Sequence, residues 1–122
     1  MAAKRILIVD DEPNIALSLE FLMRKAGFEV TVARDGREAL AALDREVPDL
    51  VLLDVMIPEV DGFELCQRIR NREAFSRTKI VMLTARGRES ERLRGLEMGA
   101  DAYVTKPFST RELVERVRGM LR

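Results

Sequence analysis

The 122-residue chain contains no histidine. That excludes a Ser-His-Asp or Cys-His nucleophile system, and any histidine-ligated zinc, within the chain. Its one cysteine, Cys66, has no partner for an internal disulfide and fits a reducing, cytoplasmic setting. No apolar run approaches the ~20 residues needed to span a bilayer. Residues 1–5 are basic, but the four apolar residues that follow are too few for a signal-peptide core. An excess of either charge is also missing: 21 basic and 21 acidic residues cancel, which leaves no electrostatic case for binding nucleic acid or a membrane surface. Internal repeats, low-complexity segments and linkers are absent. What remains, with 47% apolar residues, is enough for one domain over residues 1–122 with a core that needs no staples.

The stretch Asp49 to Gly62 organises the rest. Residues 49–53 are mostly branched and apolar, too few for a stable helix and bounded by Pro48, which reads as a central strand buried on both faces. Further strands are expected at 5–9, 29–33, 79–83 and 102–105. Between them apolar residues recur at helical spacing: Ile15, Leu19, Leu22 and Ala26; Ala39, Leu40, Leu43 and Val47; Leu65, Cys66 and Ile69; Leu93, Leu96 and Met98; and Leu113, Val117, Met120 and Leu121. Capping boxes open helices at Asp35-x-x-Glu38, Asp61-x-x-Glu64 and Ser109-x-x-Glu112, and Gly27 and Gly99 fall where helices end. Strict alternation of this kind predicts an α/β (βα)5 three-layer sandwich around a parallel sheet.

In such a sheet ligands bind beyond the C-terminal strand ends, where the strand order reverses. The first strand is followed by Asp10, Asp11 and Glu12, the third by Asp54, the fourth by Thr84 and the fifth by Lys106; the second ends with nothing comparable. With the order 2-1-3-4-5, Asp10, Asp11 and Asp54 share one pocket and Thr84 and Lys106 line its other side. Each has a plain structural alternative: Asp10 to Pro13 as a helix cap, Thr84 as a cap or loop hydroxyl, Lys106 as a solvated lysine. Cys66 and the methionines read as packing. Taken together, a carboxylate nucleophile, all-oxygen ligands suited to Mg²⁺, a lysine and a hydroxyl make a phosphoryl-accepting site.

The motifs Ile8-Val9-Asp10-Asp11-Glu12, Leu53-Asp54-Val55-Met56-Ile57-Pro58 with Asp61-Gly62, Leu83-Thr84-Ala85, Gly99-Ala100-Asp101 and Thr105-Lys106-Pro107-Phe108 resemble, in order and over the whole chain, the bacterial response-regulator receiver domain. That resemblance implies the flavodoxin-like fold with sheet order 2-1-3-4-5. It implies that Asp54 accepts a phosphoryl group from a phosphohistidine on a histidine kinase or phosphotransfer protein. Asp11 and Asp54 would bind Mg²⁺, with Asp10 acting through water and the Met56 carbonyl as a further ligand. Lys106 would pair with the phosphoryl group, Thr84 would bond to it, and Tyr103 would follow Thr84 as the switch. The Lys106-Pro107 bond is expected to be cis. The chain resembles most closely receivers that precede a winged-helix DNA-binding domain, although no such domain lies within residues 1–122. Arg92, Glu97, Asp101, Glu112, Arg116 and Arg118 match charged positions at which those receivers pair symmetrically when phosphorylated, although Ala102 stands where they usually carry a second aspartate. The competing reading is a small Mg²⁺-dependent phosphatase or phosphotransferase of haloacid-dehalogenase type, but its Asp-x-Asp and cap have no counterpart here. A flavin-mononucleotide carrier would need a Ser/Thr-rich phosphate loop where this chain has acids.

Overall fold

A computed structural model describes residues 3–55, 57, 61–85 and 97–122. Five parallel strands form one sheet: β1 (Arg5–Val9), β2 (Glu29–Ala33), β3 (Leu50–Asp54), β4 (Lys79–Ala85) and β5 (Ala102–Lys106), in the order β2-β1-β3-β4-β5. The described helices are α1 (Pro13–Lys25), α2 (Gly36–Arg45), α3 (Gly62–Arg70) and a C-terminal helix (Thr110–Met120), with a short 3-10 turn at Glu73–Phe75. This is the expected α/β three-layer arrangement. The fourth expected stripe lies mostly outside the described residues, for Leu93 and Leu96 fall in 86–96.

Two apolar layers hold the sheet between its helices. On one face Leu7, Val9, Val51, Leu53 and Met82 pack with Ala39, Leu43, Leu65 and Ile69 of α2 and α3. On the other, Ile6, Ile8, Leu50, Leu52 and Leu83 pack with Leu19 and Met23 of α1 and with Leu113 and Val117. All five residues of β3 are buried, as its unbroken apolar run predicts, and each such Leu or Val contributes roughly 1.5–3 kcal/mol. β2 alternates in exposure, as an edge strand should.

Local chemistry sets the element ends. Pro13 opens α1, where its missing N–H costs nothing. Asp35 and Ser109 accept from the N–H of Glu38 and Glu112 at 2.8 and 3.3 Å, whereas Asp61 caps one residue earlier, accepting from Phe63 at 2.7 Å. Gly27 and Gly99 both adopt positive φ, 99° and 103°.

Several expectations shift by a residue or more. β3 begins at Leu50, because the Asp49 carboxylate turns back to accept the N–H of Arg5 at 2.8 Å. β4 and β5 run on through Thr84 and Lys106, so these side chains stand on strands, braced by ladder neighbours, and not on the loops beyond. The buried face of α1 is Ala16, Leu19 and Met23, flanked by half-buried Ile15, Leu22 and Ala26, so the expected stripe is rotated about one residue. Val47 lies past the end of α2 and is exposed, while Ala42 takes the interior position.

Candidate functional site

Register brings the acids together. Val9 pairs with Leu53, so Asp10 and Asp54 leave the ends of adjacent strands side by side. Between these two strands the order reverses, β1 leading outward to β2 and β3 inward to β4. Asp10 is fully buried and its Oδ1 accepts the N–H of Glu12 at 3.0 Å. That bond lies before the helix begins. The N-cap of α1 is Glu12, with no side-chain cap bond, so Asp10 and Asp11 are not there to start the helix. Asp54 is also buried, and Asp11 is exposed. Carboxylate oxygens of Asp10, Asp11 and Asp54 lie within 4.8 Å of one another.

Among the described residues, Lys106 answers them. Lys106, the last residue of β5, reaches across β4 and places Nζ 3.2 Å from Asp54 Oδ2 and 3.4 Å from Asp10 Oδ2. Its side chain is only 23% exposed, which rules out a merely solvated lysine. Two unit charges ~4 Å apart interact by roughly 1–4 kcal/mol between water and protein-surface dielectrics, so each pairing with Lys106 offsets repulsion among the acids. Burial first, and then the charge of Asp54, push the Asp10 carboxyl above its usual range, against the Glu12 N–H and Lys106, which hold it down. Burial disfavours the Lys106 ammonium, but Asp54 and Asp10 outweigh it and raise its pKa. The Lys106-Pro107 peptide is cis, as expected.

Thr84 is buried on β4, next in the chain after Leu83, which pairs with Asp54, and opposite Thr105. Tyr103 is paired with Met82 and packs against the α2–α3 face of the core. Met56 and Arg92 lie outside the described residues. Glu97 is exposed. Tyr103, Glu112 and Arg116 line one hollow of about 260 Å³. Arg118 sits on the other flank of the C-terminal helix, where it donates to the Ala26 carbonyl at 3.4 Å. Asp101 is engaged within the chain, with Arg70 and with the N–H of Ile80 at 2.8 Å. The structure therefore groups Tyr103 with Glu112 and Arg116, and directs Asp101 and Arg118 elsewhere.

Two contributors carry no sequence signal of their own. Arg70 looks like any polar residue at a helix end, and only the fold shows what it reaches. Gly62 reads as a turn glycine, yet a Cβ there would lie 2.8 Å from the Asp54 carbonyl oxygen.

Three carboxylates on strand ends form an all-oxygen donor set of the kind Mg²⁺ takes, with room for water and a phosphoryl oxygen. The donor set fits, and with the Lys106 ion pairs it forms a Mg²⁺-binding receiver active site. Fold and site thus define a class: phosphoacceptor domains that use an aspartate on a parallel sheet and do not turn over a separate substrate. Within that class, the family model described as the response regulator receiver domain matches residues 6–118, and the chain belongs to this family. The chain is 50% identical over 117 residues to the sensory transduction protein RegX3 of Mycobacterium tuberculosis, covering 96% of this chain and 50% of that protein. It is 51% identical over 118 residues to the phosphate regulon transcriptional regulatory protein PhoB of Rhizobium meliloti, covering 97% and 52%. It thus spans about half the length of these relatives. Among solved structures, the chemotaxis response regulator CheY4 of Vibrio cholerae superposes with a TM-score of 0.92 at 32% identity, covering 98% of this chain and 100% of that one.

Proposed function

We propose that Asp54 is the phosphoacceptor and that residues 1–122 are one receiver domain. The observation that carries this is Lys106 Nζ bonded to both Asp54 and Asp10 at adjacent strand ends, the place where a phosphoryl group on Asp54 would need a cation. The donor is a phosphohistidine of a histidine kinase or phosphotransfer protein. An Asp54 carboxylate oxygen attacks phosphorus, the P–N bond breaks, and its electron pair returns to the imidazole ring, which takes a proton. Asp10, Asp11 and Asp54, with the Met56 carbonyl, would hold Mg²⁺. When bound, the metal would neutralise phosphoryl charge. Lys106 then exchanges its carboxylate partner for a phosphoryl oxygen, and Thr84 donates its hydroxyl to another.

Displacement of Thr84 opens room on β4 for Tyr103 on β5, a two-state packing change that carries the signal to the surface. That surface takes in the expected fourth helix, with its stripe of Leu93, Leu96 and Met98, together with β5 and the C-terminal helix. Arg92, Glu97, Asp101, Glu112, Arg116 and Arg118 are its candidate contacts for a phosphorylation-dependent homodimer, with Glu112 and Arg116, beside Tyr103, the best placed. RegX3 and PhoB are about twice as long as this chain, and PhoB is a transcriptional regulatory protein, which supports a DNA-binding output domain as the receiver's partner. The proposed site of action is the cytoplasm; among the described residues no helix is long and apolar enough to cross a membrane.

Incubation with Mg²⁺ and acetyl phosphate, followed by intact-mass measurement, tests the reading. One phosphoryl adduct, labile on standing and absent from Asp54→Asn, is expected. An adduct formed by Asp54→Asn at the wild-type rate would refute the assignment.

A further inference from the structure

The chain segment just before β5 is gripped from α3. Arg70, the last residue of α3, donates from Nε to the Gly99 carbonyl at 2.7 Å and from Nη1 to the Thr78 and Phe75 carbonyls at 2.6 and 3.4 Å. Its Nη2 pairs with the Asp101 carboxylate. Asp101 Oδ2 also accepts the N–H of Ile80 at 2.8 Å, and the Asp101 N–H donates to the Ile80 carbonyl at 2.8 Å. One turn back along α3, Cys66 Sγ lies 3.6 Å from the Met98 carbonyl. A Cβ on Gly99 would come within 2.6 Å of Arg70 Cγ, so the glycine both makes the turn and lets the arginine stem lie across it.

The opposite end of α3 touches the phosphoacceptor's own backbone. A Cβ on Gly62 would lie 2.8 Å from the Asp54 carbonyl oxygen, the Val55 Cα and the Val55 carbonyl oxygen. The Gly62 N–H donates to the Val55 carbonyl at 3.2 Å. These contacts close a ring. From Asp54 the path runs through Gly62 and the nine residues of α3 to Arg70, then through Gly99 and Asp101 into β5. β5 ends at Lys106, whose Nζ returns to Asp54 at 3.2 Å.

We propose that Arg70 is a positioning residue for the phosphoryl site: by fixing the entry of β5 it sets where Lys106 meets the group on Asp54. The inference rests on Asp54 being the phosphoacceptor. A guanidinium suits this role because its planar fork reaches four acceptors at once, on two separate segments, 75–78 and 99–101. A lysine there keeps the charge but loses the fork. Hydrogen bonds weaken steeply as geometry degrades, so a small slide of β5 is felt at Nζ.

The test compares wild type with Arg70→Lys, Arg70→Ala and Asp101→Asn, each shown by circular dichroism to be native at the working temperature. Affinity for the phosphoryl mimic beryllofluoride at saturating Mg²⁺, and affinity for Mg²⁺ alone, are measured separately. Both Arg70 variants should bind beryllofluoride roughly tenfold more weakly, with Lys failing to rescue, while Mg²⁺ affinity stays within about twofold. The Lys106 backbone amide should shift in the NMR spectrum of the Arg70 variants. Lower melting temperatures with both affinities unchanged would show a purely structural role and overturn the proposal. If Arg70→Ala does not fold, Asp101→Asn, which keeps an acceptor for the Ile80 N–H but drops the charge, carries the comparison in its place. A wild-type protein that takes up neither beryllofluoride nor phosphate would instead refute the Asp54 reading itself, and this inference with it.

Discussion

The two ends of the sheet handle charge in opposite ways. At the N-terminal strand ends acids and bases are matched: Arg5 pairs with Glu29 at 3.3 Å and Glu46 at 3.2 Å, and Arg70 pairs with Asp101. At the C-terminal ends three carboxylates cluster, and two of them, Asp10 and Asp54, share Lys106. The first end is satisfied by the chain alone. The second gathers three carboxylates within 4.8 Å of one another, two of them buried, which is the mark of a binding site and not of a staple. Burial sharpens the contrast, because Asp10 is fully enclosed while the side chains of Arg5, Glu29 and Glu46 are about half exposed.

Breaking the matched end at its better-shielded member, the half-buried Arg70, should have the largest effect. Arg70→Ala removes the ion-pair partner of Asp101 and frees three carbonyls, and should destabilise the fold by about 3 kcal/mol in urea denaturation. Arg5→Ala, with exposed partners, should cost less than about 1 kcal/mol. Equal losses would mean that burial does not separate the two arginines.

Cys66 gives a smaller effect with a defined pH window. Burial pushes its thiol from 9.0 up to about 11, opposed by Arg70 and aided by Asp101. The folded state keeps a proton that the unfolded chain releases, so stability falls as pH rises through that window. The loss should reach about 2 kcal/mol by its upper end and be missing from Cys66→Ala. The stability gap between the two proteins, followed by denaturant titration from neutral to alkaline pH, checks this; a constant gap would refute it.

Lys106→Ala should be smaller still, about 1 kcal/mol in metal-free protein, where the acids lose their cation. Saturating Mg²⁺ should remove most of that cost, and a loss unchanged by the metal would count against a shared site.

Sequence reasoning reached the site because its residues sit where periodicity stops. Asp10, Asp54, Thr84 and Lys106 each close an apolar run, so the sheet order alone brings them together. The strand ends were less legible: ladder pairing carries β4 to Ala85 and β5 to Lys106, past the last purely apolar positions. The face of α1 was misjudged because Ala16 and Met23 are as suited to burial as Ile15 and Leu22, and which set turns inward depends on what the sheet offers. The Arg70 network was hidden because its acceptors are mostly backbone carbonyls, which have no letter in the sequence.

The contrast between the two ends rests most directly on one measurement: melting temperature with chelator and with millimolar Mg²⁺, in wild type and Asp11→Asn. In chelator the variant should be the more stable, since removing one of three clustered carboxylates relieves repulsion. In Mg²⁺ the order should invert, because only the wild type keeps the full ligand set that binds the native state and not the unfolded chain. The same order in both conditions, or a wild-type melting temperature indifferent to Mg²⁺, would contradict the account.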